Sequence, residues 1–115
     1  MISSPLRAAT PQQVDEMLTK AKAYLYNKQR NGNWEVADKA EADDQFYSPG
    51  SGQWGGTTAL TVYALLAAGE SPQDPRLAPA IAFLKKAEIR GVYALSLRCQ
   101  VWPLLPQSQE IHKLA

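Results

Sequence analysis

The 115-residue chain has one cysteine and one histidine, so the residues that build disulfides and zinc sites are nearly absent. A single cysteine cannot form an internal disulfide, and this leaves the cellular compartment undecided. Zinc sites need at least three protein ligands, and Cys99 and His112 lie in unrelated contexts. We therefore expect Cys99 in the core and His112 at the surface, and the sequence predicts neither a metal site nor a cofactor.

An excess of charge of one sign is also lacking, because the formal net charge is +1. A nearly neutral chain without a basic, aromatic-rich run has no feature that attracts nucleic acid or an anionic membrane. No apolar run reaches the ~20 residues of a membrane span, and residues 1–10 lack the apolar core of a signal peptide. We expect a soluble protein without nucleic-acid partners, and the cytoplasm is favoured among compartments.

Two segments show apolar residues at helical spacing on one side only. The first helix is predicted from about Pro11 to Gln29 with Thr10 as its N-cap, and its apolar stripe comprises Val14, Met17, Leu18, Ala21, Tyr24 and Leu25. The second such helix begins with Asp74 as its cap and ends at Gly91, and its stripe comprises Leu77, Ala80, Ile81, Leu84 and Ala87. Helices with one apolar face are typical of an outer layer.

Two further segments are apolar on nearly every side. One helix starts near Thr57 and ends before Gly69, which is suited to a left-handed C-cap. The other runs from Val92 to about Leu105, and Pro103 is expected to kink its last turn or end it early. Helices of this kind are typical of an inner layer with neighbours on several sides.

The alternation of the two helix types predicts an all-α fold of α/α-toroid-type helical hairpin repeats, with two hairpins of an incomplete barrel. The hairpins occupy residues 11–105 after an N-terminal extension over residues 1–10, and residues 106–115 begin a further, truncated helix. A plain four-helix bundle stays open as the alternative, in which every helix would carry a single stripe. An inner helix of an incomplete barrel would expose an apolar flank, so the expected partner is the remainder of a larger toroid or a second copy.

A polar loop over residues 31–56 separates the first two helices and is unusually long for a compact domain. Three of its acids, Glu41, Asp43 and Asp44, form a weak candidate for a divalent cation, since oxygen-rich loops bind calcium. Their spacing does not match an EF-hand, and other charged residues lie nearby. We interpret them as a solvated acidic loop.

The residues Gln29, Gly32 and Trp34 resemble the QW repeat of squalene and oxidosqualene cyclases. The usual spacing of that family has one more residue between the glutamine and the glycine. Glycine can adopt a backbone conformation closed to other residues, and tryptophan adds a large apolar face with one N–H donor. The resemblance implies that this motif staples an outer helix to the next inner helix, with Gln29 accepting the indole N–H or capping a helix end.

A second Gly-x-Trp, Gly52 and Trp54, leads through Thr58 into the next predicted helix. The following segment, Ala64 to Leu84, is similar to helix junctions in bacterial prenyltransferase and squalene-oxidase repeat proteins. The resemblance implies a squalene-cyclase or prenyltransferase-type α/α toroid. It implies structural roles for these residues rather than catalytic ones.

The acid motif of class II terpene cyclases, Asp-x-Asp-Asp followed by Thr-Ala, is incomplete in this chain. Thr58-Ala59 is present, but no acid precedes it, and protonation of an alkene needs such an acid. We therefore predict no catalytic residue and a non-catalytic repeat or interaction module. The alternative is a fragment of a terpenoid-cyclase-like enzyme whose acids lie outside this chain. A third class, carbohydrate-binding or lyase toroids, would need a His/Tyr/Arg cluster that the sequence lacks.

Three aromatic residues lie on the predicted inner helices, namely Tyr63, Tyr93 and Trp102. In a complete toroid such residues line a central cavity, where they stabilise cations through their ring faces. Ordinary packing between helices is the favoured interpretation. A hydrophobic small-molecule ligand would fit such a cavity, but no motif indicates one.

Overall fold

A computed structural model describes residues 8–39 and 51–115. Within these residues the chain folds into five α-helices and two 3₁₀ turns, without a β-strand. The helices are α1 (Pro11–Asn27), α2 (Gly56–Ala67), α3 (Ala78–Lys86), α4 (Val92–Val101) and α5 (Gln109–Leu114), and the 3₁₀ turns are Ser51–Gln53 and Trp102–Leu104. The predicted all-α class is confirmed for this part of the chain. None of these helices is long and apolar enough to cross a membrane.

The first helix begins as predicted. The backbone N–H of Gln13 donates to Thr10 Oγ1 (3.1 Å), and the backbone N–H of Thr10 donates to Gln13 Oε1 (2.9 Å), which together form a capping box. The helix ends at Asn27, two residues before the predicted end. A tight turn follows, in which Asn31 and Gly32 both have positive φ angles, +50° and +77°. Two successive positive φ angles are the signature of a type I′ turn.

The apolar stripe of α1 is exposed, which corrects the expectation that it packs as an outer helix. No residue of α1 is buried, and only Lys22, Leu25 and Tyr26 are partly covered. The helix thus extends from the other helices, in a molecule 59 Å long along its longest axis. Periodicity identified the apolar face correctly, but it does not determine which surface covers that face.

Helices α2 and α4 lie side by side and begin at the same end of the molecule. A methyl group at Gly56 would lie 3.3 Å from the Cβ of Ala94, so the first turns of the two helices are in contact. The 3₁₀ turn that follows α4 also contacts α2. The start of α4 lies against the start of α2, so the two helices are parallel. The small residues Gly56 and Ala94 allow their close approach.

The core lies between α2, α3 and α4. The predicted stripe of α3 is confirmed, because four of its residues are buried: Leu77, Ala80, Ile81 and Leu84. They pack with buried residues of the parallel pair and of the 3₁₀ turn after α4: Ala59, Val62, Leu65, Ala94, Val101 and Trp102. The guanidinium of Arg98 on α4 donates to the carbonyl oxygen of Ala87 (3.0 Å), which closes the C-terminal end of α3.

Helix α3 starts four residues after the predicted cap, which is a correction. Asp74 does not cap the helix, because its Oδ1 accepts the backbone N–H of Arg76 (2.8 Å) in a local turn. The carbonyl of Asp74 accepts the N–H groups of Leu77 and Ala78 in the same turn. The proline in the first turn of the helix is therefore Pro79 rather than Pro75.

The expectation that α2 and α4 are buried on several sides is wrong. Each buries one side and leaves the other to solvent, because the helices around them cover only one flank. The large apolar residues that remain exposed are Leu60, Tyr63, Val92 and Tyr93. Cys99, expected in the core, is also exposed on this side of α4, whereas His112 is exposed as expected. These residues give α2 and α4 an exposed apolar flank.

The predicted ends of α2 and α4 are confirmed, whereas α3 ends at Lys86, before the predicted Gly91. Gly69 has a φ angle of +91°, and its N–H donates to the carbonyl of Leu66 in a left-handed C-cap after α2. Pro103 ends α4 early, since the α-helix gives way to a 3₁₀ turn at Trp102. Ser108 caps α5, on which Ile111 is buried.

Candidate functional site

The QW-like residues form a hydrogen-bonded joint between the end of α1 and the start of α2. Trp34 is buried, and its indole Nε1 donates to the carbonyl oxygen of Leu25 in α1 (2.7 Å). Its backbone N–H donates to Thr58 Oγ1 in α2 (3.0 Å). One tryptophan thus contacts both helices, and its aromatic face fills the space between them.

Gln29 and Gly32 connect this joint to α3 rather than to the indole. The side-chain Nε2 of Gln29 donates to the carbonyl oxygen of Arg76 (2.8 Å), just before α3. A methyl group at Gly32 would lie 3.0 Å from the Cβ of Pro79, so a residue without a side chain suits this contact. The four residues Gln29, Gly32, Trp34 and Thr58 therefore lie in one region, where three helices meet.

Glu35 caps α2 from outside the helix, a role that the sequence analysis missed. Its carboxylate accepts three hydrogen bonds: from Gly55 N (2.7 Å), Thr58 N (2.8 Å) and Thr58 Oγ1 (2.6 Å). The helix has no capping side chain of its own, because Gly55 occupies the cap position. A carboxylate at a helix N-terminus also complements the helix dipole. A helix that opens with Gly-Gly was the available signal that its cap comes from elsewhere in the chain.

We expect Glu35→Gln to lower the free energy of unfolding by about 1–3 kcal/mol, because an amide NH₂ replaces one acceptor oxygen and opposes a backbone donor. Urea unfolding followed by circular dichroism measures this effect. Glu16→Gln is the matched control, since Glu16 is exposed on α1 and should change stability little. Equal stability of the two variants would contradict the capping role.

The second Gly-x-Trp packs against α3 and the start of α4. Trp54 Nε1 donates to the carbonyl of Ala37 (3.2 Å), and its ring meets Phe83 edge-on at 5.4 Å between centroids. The neighbouring Gln53, which the sequence analysis did not single out, accepts the backbone N–H of Ala94 on Oε1 (3.0 Å). Gly52 lies so close to Gly91 that a side chain at position 91 would collide with its carbonyl oxygen. Both parallel helices thus begin with caps supplied by the connecting segment.

A charged cluster joins α1 to the turn before α3. The hydroxyl of Tyr26 donates to Glu70 Oε2 (2.8 Å), and Glu70 also pairs with Lys22 (3.1 Å) and Arg76 (3.5 Å). Desolvation by burial, followed by the hydrogen bond to Glu70, raises the pKa of Tyr26 above 10.0. The hydrogen bond from Tyr26 lowers the pKa of Glu70 below 4.5, against the effect of burial. Hydrogen bonds from Arg76 lower the pKa of Asp74 from 3.8 to about 2.

We expect acid to weaken the fold between about pH 4.5 and about pH 2. A carboxyl group with a lowered folded pKa stabilises the fold above its unfolded pKa, and this contribution is lost as pH falls through the folded value. Urea unfolding at a series of pH values would measure the loss, which should be shallower in Glu70→Gln. Identical pH profiles for the two proteins would contradict this role of Glu70.

The three candidate cavity aromatics do not share one environment. Tyr63 and Tyr93 lie on the exposed flanks of α2 and α4, whereas Trp102 is 2% exposed and packs in the core. The guanidinium carbon of Arg98 lies 6.0 Å from the centre of the Trp102 ring. Packing between helices therefore accounts for Trp102, and two tyrosines remain available to a partner.

The weak acidic candidates Glu41, Asp43 and Asp44 lie outside the described residues. Within residues 8–39 and 51–115, no group of three His, Cys, Asp or Glu side chains could hold a metal ion. The acids Glu35 and Glu70 are hydrogen-bond acceptors that fasten backbone and side chains. The described part of the site thus consists of hydrogen-bonded contacts between helices and of an exposed apolar flank on α2 and α4.

No protein-family model, curated protein or solved structure matches this chain.

Proposed function

We propose that this chain is a non-catalytic helical repeat module that acts by protein contact within a larger α/α-toroid assembly of the squalene-cyclase and prenyltransferase type. The observation that carries the proposal is the exposed side of α2. This twelve-residue helix contains no charged residue, and its exposed positions are Thr57, Leu60, Tyr63, Ala64 and Ala67. Interface cores are depleted of charge and enriched in tyrosine, as this face is.

The kind of partner follows from the other side of the same helix. There α4 lies parallel to α2, with Gly56 against Ala94 at the close approach. A further helical hairpin of the same kind would cover the exposed side in the same manner, from the remainder of a toroid or from a second copy. Parallel α2 and α4 linked by α3 are the arrangement that a two-layer hairpin repeat needs, and a plain bundle stays the alternative.

The absence of an acid immediately before Thr58 favours the module over an enzyme. Glu35 lies at the start of α2 and accepts hydrogen bonds from Gly55 and Thr58. Its hydrogen bonds therefore give this carboxylate a capping role at α2. The alternative, a fragment of a terpenoid-cyclase-like enzyme, draws support from exposed Tyr63 and Tyr93, and its catalytic acids would lie outside this chain.

Two assays test the proposal. The chain is incubated with squalene and, separately, with geranylgeranyl diphosphate, and products are sought by mass spectrometry. We expect no product, and product formed by this chain alone would overturn the non-catalytic assignment.

The contact function is tested by the double substitution Leu60→Lys with Tyr63→Lys, read by light scattering over a concentration series. We expect the variant to lose the larger assemblies that form through α2, because two charges in an apolar contact are costly to desolvate. Gln12→Lys, on the polar face of α1, is the control and should keep them. Assemblies of unchanged size in the double variant would contradict α2 as the contact face.

A further inference from the structure

Among residues 8–39 and 51–115, the N-terminal part of α1 is an amphipathic helix that no other helix covers. Its stripe is widely exposed, with Met17 at 67%, Val14 at 42% and Leu18 at 41%. Every residue from Pro11 to Ala21 is exposed, and Lys22 is the first residue of α1 that is partly covered. A helical segment of this length is marginal in water unless its apolar face is packed. The stripe Val14–Met17–Leu18–Ala21 therefore needs a surface to cover it.

An apolar groove of about 540 Å³ lies between α3 and α5. Its apolar lining includes Ala78, Ile81, Ala82, Leu105, Ile111 and Leu114. One face of α3 forms the length of this groove, and Lys85 and Lys86 stand at its C-terminal end. Small side chains at positions 78 and 82 leave room for the larger side chains of an incoming helix.

The stripe and the groove agree in length and in charge. Val14 to Ala21 spans roughly 11 Å and Ala78 to Lys86 roughly 12 Å at 1.5 Å per residue. Between Pro11 and Thr19 the charged residue beside the stripe is Asp15, which suits Lys86 at the end of the groove, where Lys85 pairs with Glu110 (3.2 Å). This pairing sets α1 antiparallel to α3, an orientation that the helix dipoles also favour.

We infer that α1 of one molecule docks into the α3–α5 groove of a second copy, and that the second copy returns the same contact. The result is a two-fold dimer in which residue i meets residue j and j meets i. The mode is helix-in-groove recognition, with Val14, Met17, Leu18 and Ala21 as the anchors. This inference rests on the proposed function in taking the chain to act by protein contact, but it uses a surface different from that of α2.

Sedimentation velocity of three variants tests the two halves of the contact separately. Met17→Glu places a charge in the stripe, and Ala82→Arg fills the groove; both positions are exposed, so both variants should fold. Each is expected to weaken dimerisation by about tenfold or more. Ala23→Glu, on the opposite face of α1, is the matched control and should keep the dimer. Circular dichroism verifies that all three are folded.

Mixing the two defective variants identifies the docked surfaces. The Met17→Glu protein keeps its groove and the Ala82→Arg protein keeps its stripe, so the mixture should regain one of two contacts and form a heterodimer. A dimer that survives Ala82→Arg, or a mixture that stays monomeric, would overturn the inference; the first outcome would indicate pairing of α1 with α1.

The charge pairing gives an independent readout. Asp15→Lys and Lys86→Asp should each weaken the dimer, and the two together in one chain should restore it. Loss without restoration would contradict the antiparallel orientation. Larger assemblies that depend on Leu60 and Tyr63 but not on Met17 would leave the proposed function standing while the α1 docking falls. Product formed from squalene would overturn the proposed non-catalytic function and would leave the α1 docking untouched.

Discussion

Replacing Trp34 with alanine is expected to lower the free energy of unfolding by about 3–5 kcal/mol. The side chain is 6% exposed and lies between α1 and α2, so its removal leaves a cavity that a small residue cannot fill. It also removes the indole donor to the carbonyl of Leu25. Urea or thermal unfolding followed by circular dichroism measures the loss.

The variant Trp34→Phe separates packing from hydrogen bonding. Phenylalanine keeps most of the aromatic surface but cannot donate to Leu25, so we expect a smaller loss of about 1–2 kcal/mol. The backbone hydrogen bond from position 34 to Thr58 is retained in both variants. A Trp34→Ala variant as stable as the unmodified chain would show that the joint does not hold α1 to α2.

Leu65→Ala is expected to cost about 2–5 kcal/mol, whereas Leu60→Ala should cost well under 1 kcal/mol. Both leucines lie on α2, and the substitution is chemically identical. Leu65 is 1% exposed in the core, while Leu60 is 48% exposed on the free flank. The difference in unfolding free energy between the two variants therefore tests whether α2 is buried on one side only.

Dilute protein is required for this comparison, because association through the exposed flank would add stability at Leu60. At concentrations where the chain is dispersed, the difference between the two variants should be at least about 1 kcal/mol. Equal losses would mean that α2 is covered on both sides, and the contact face proposed for it would then be excluded.

Local sequence signals predicted the helices because the causes of helix boundaries are themselves local. Thr10 with Pro11, Gly69 and Pro103 act within a few residues, and the start of α1 and the ends of α2 and α4 agree with them. The stripe of α3 was predicted for the same reason, since its spacing follows from one helix alone. The start of α3 was missed because Asp74 can cap a helix or close a turn, and here it closes a turn with Arg76.

Contacts between distant residues could not be predicted in this way. Glu35 meets Thr58 across the connecting segment, and Tyr26 meets Glu70 across 44 positions of the chain. The sequence also identified the apolar face of α1 without revealing that it lies open, because periodicity carries no information about the covering surface. The exposure of Cys99 has the same origin, since it depends on which side of α4 finds neighbours.

The mass of the unmodified chain as a function of concentration tests the central claim most directly, because exposed apolar flanks on a contact module must associate. Light scattering on a size-exclusion column should give masses that rise above the monomer value of 12.6 kDa as concentration increases. A mass of 12.6 kDa at every concentration would contradict the account.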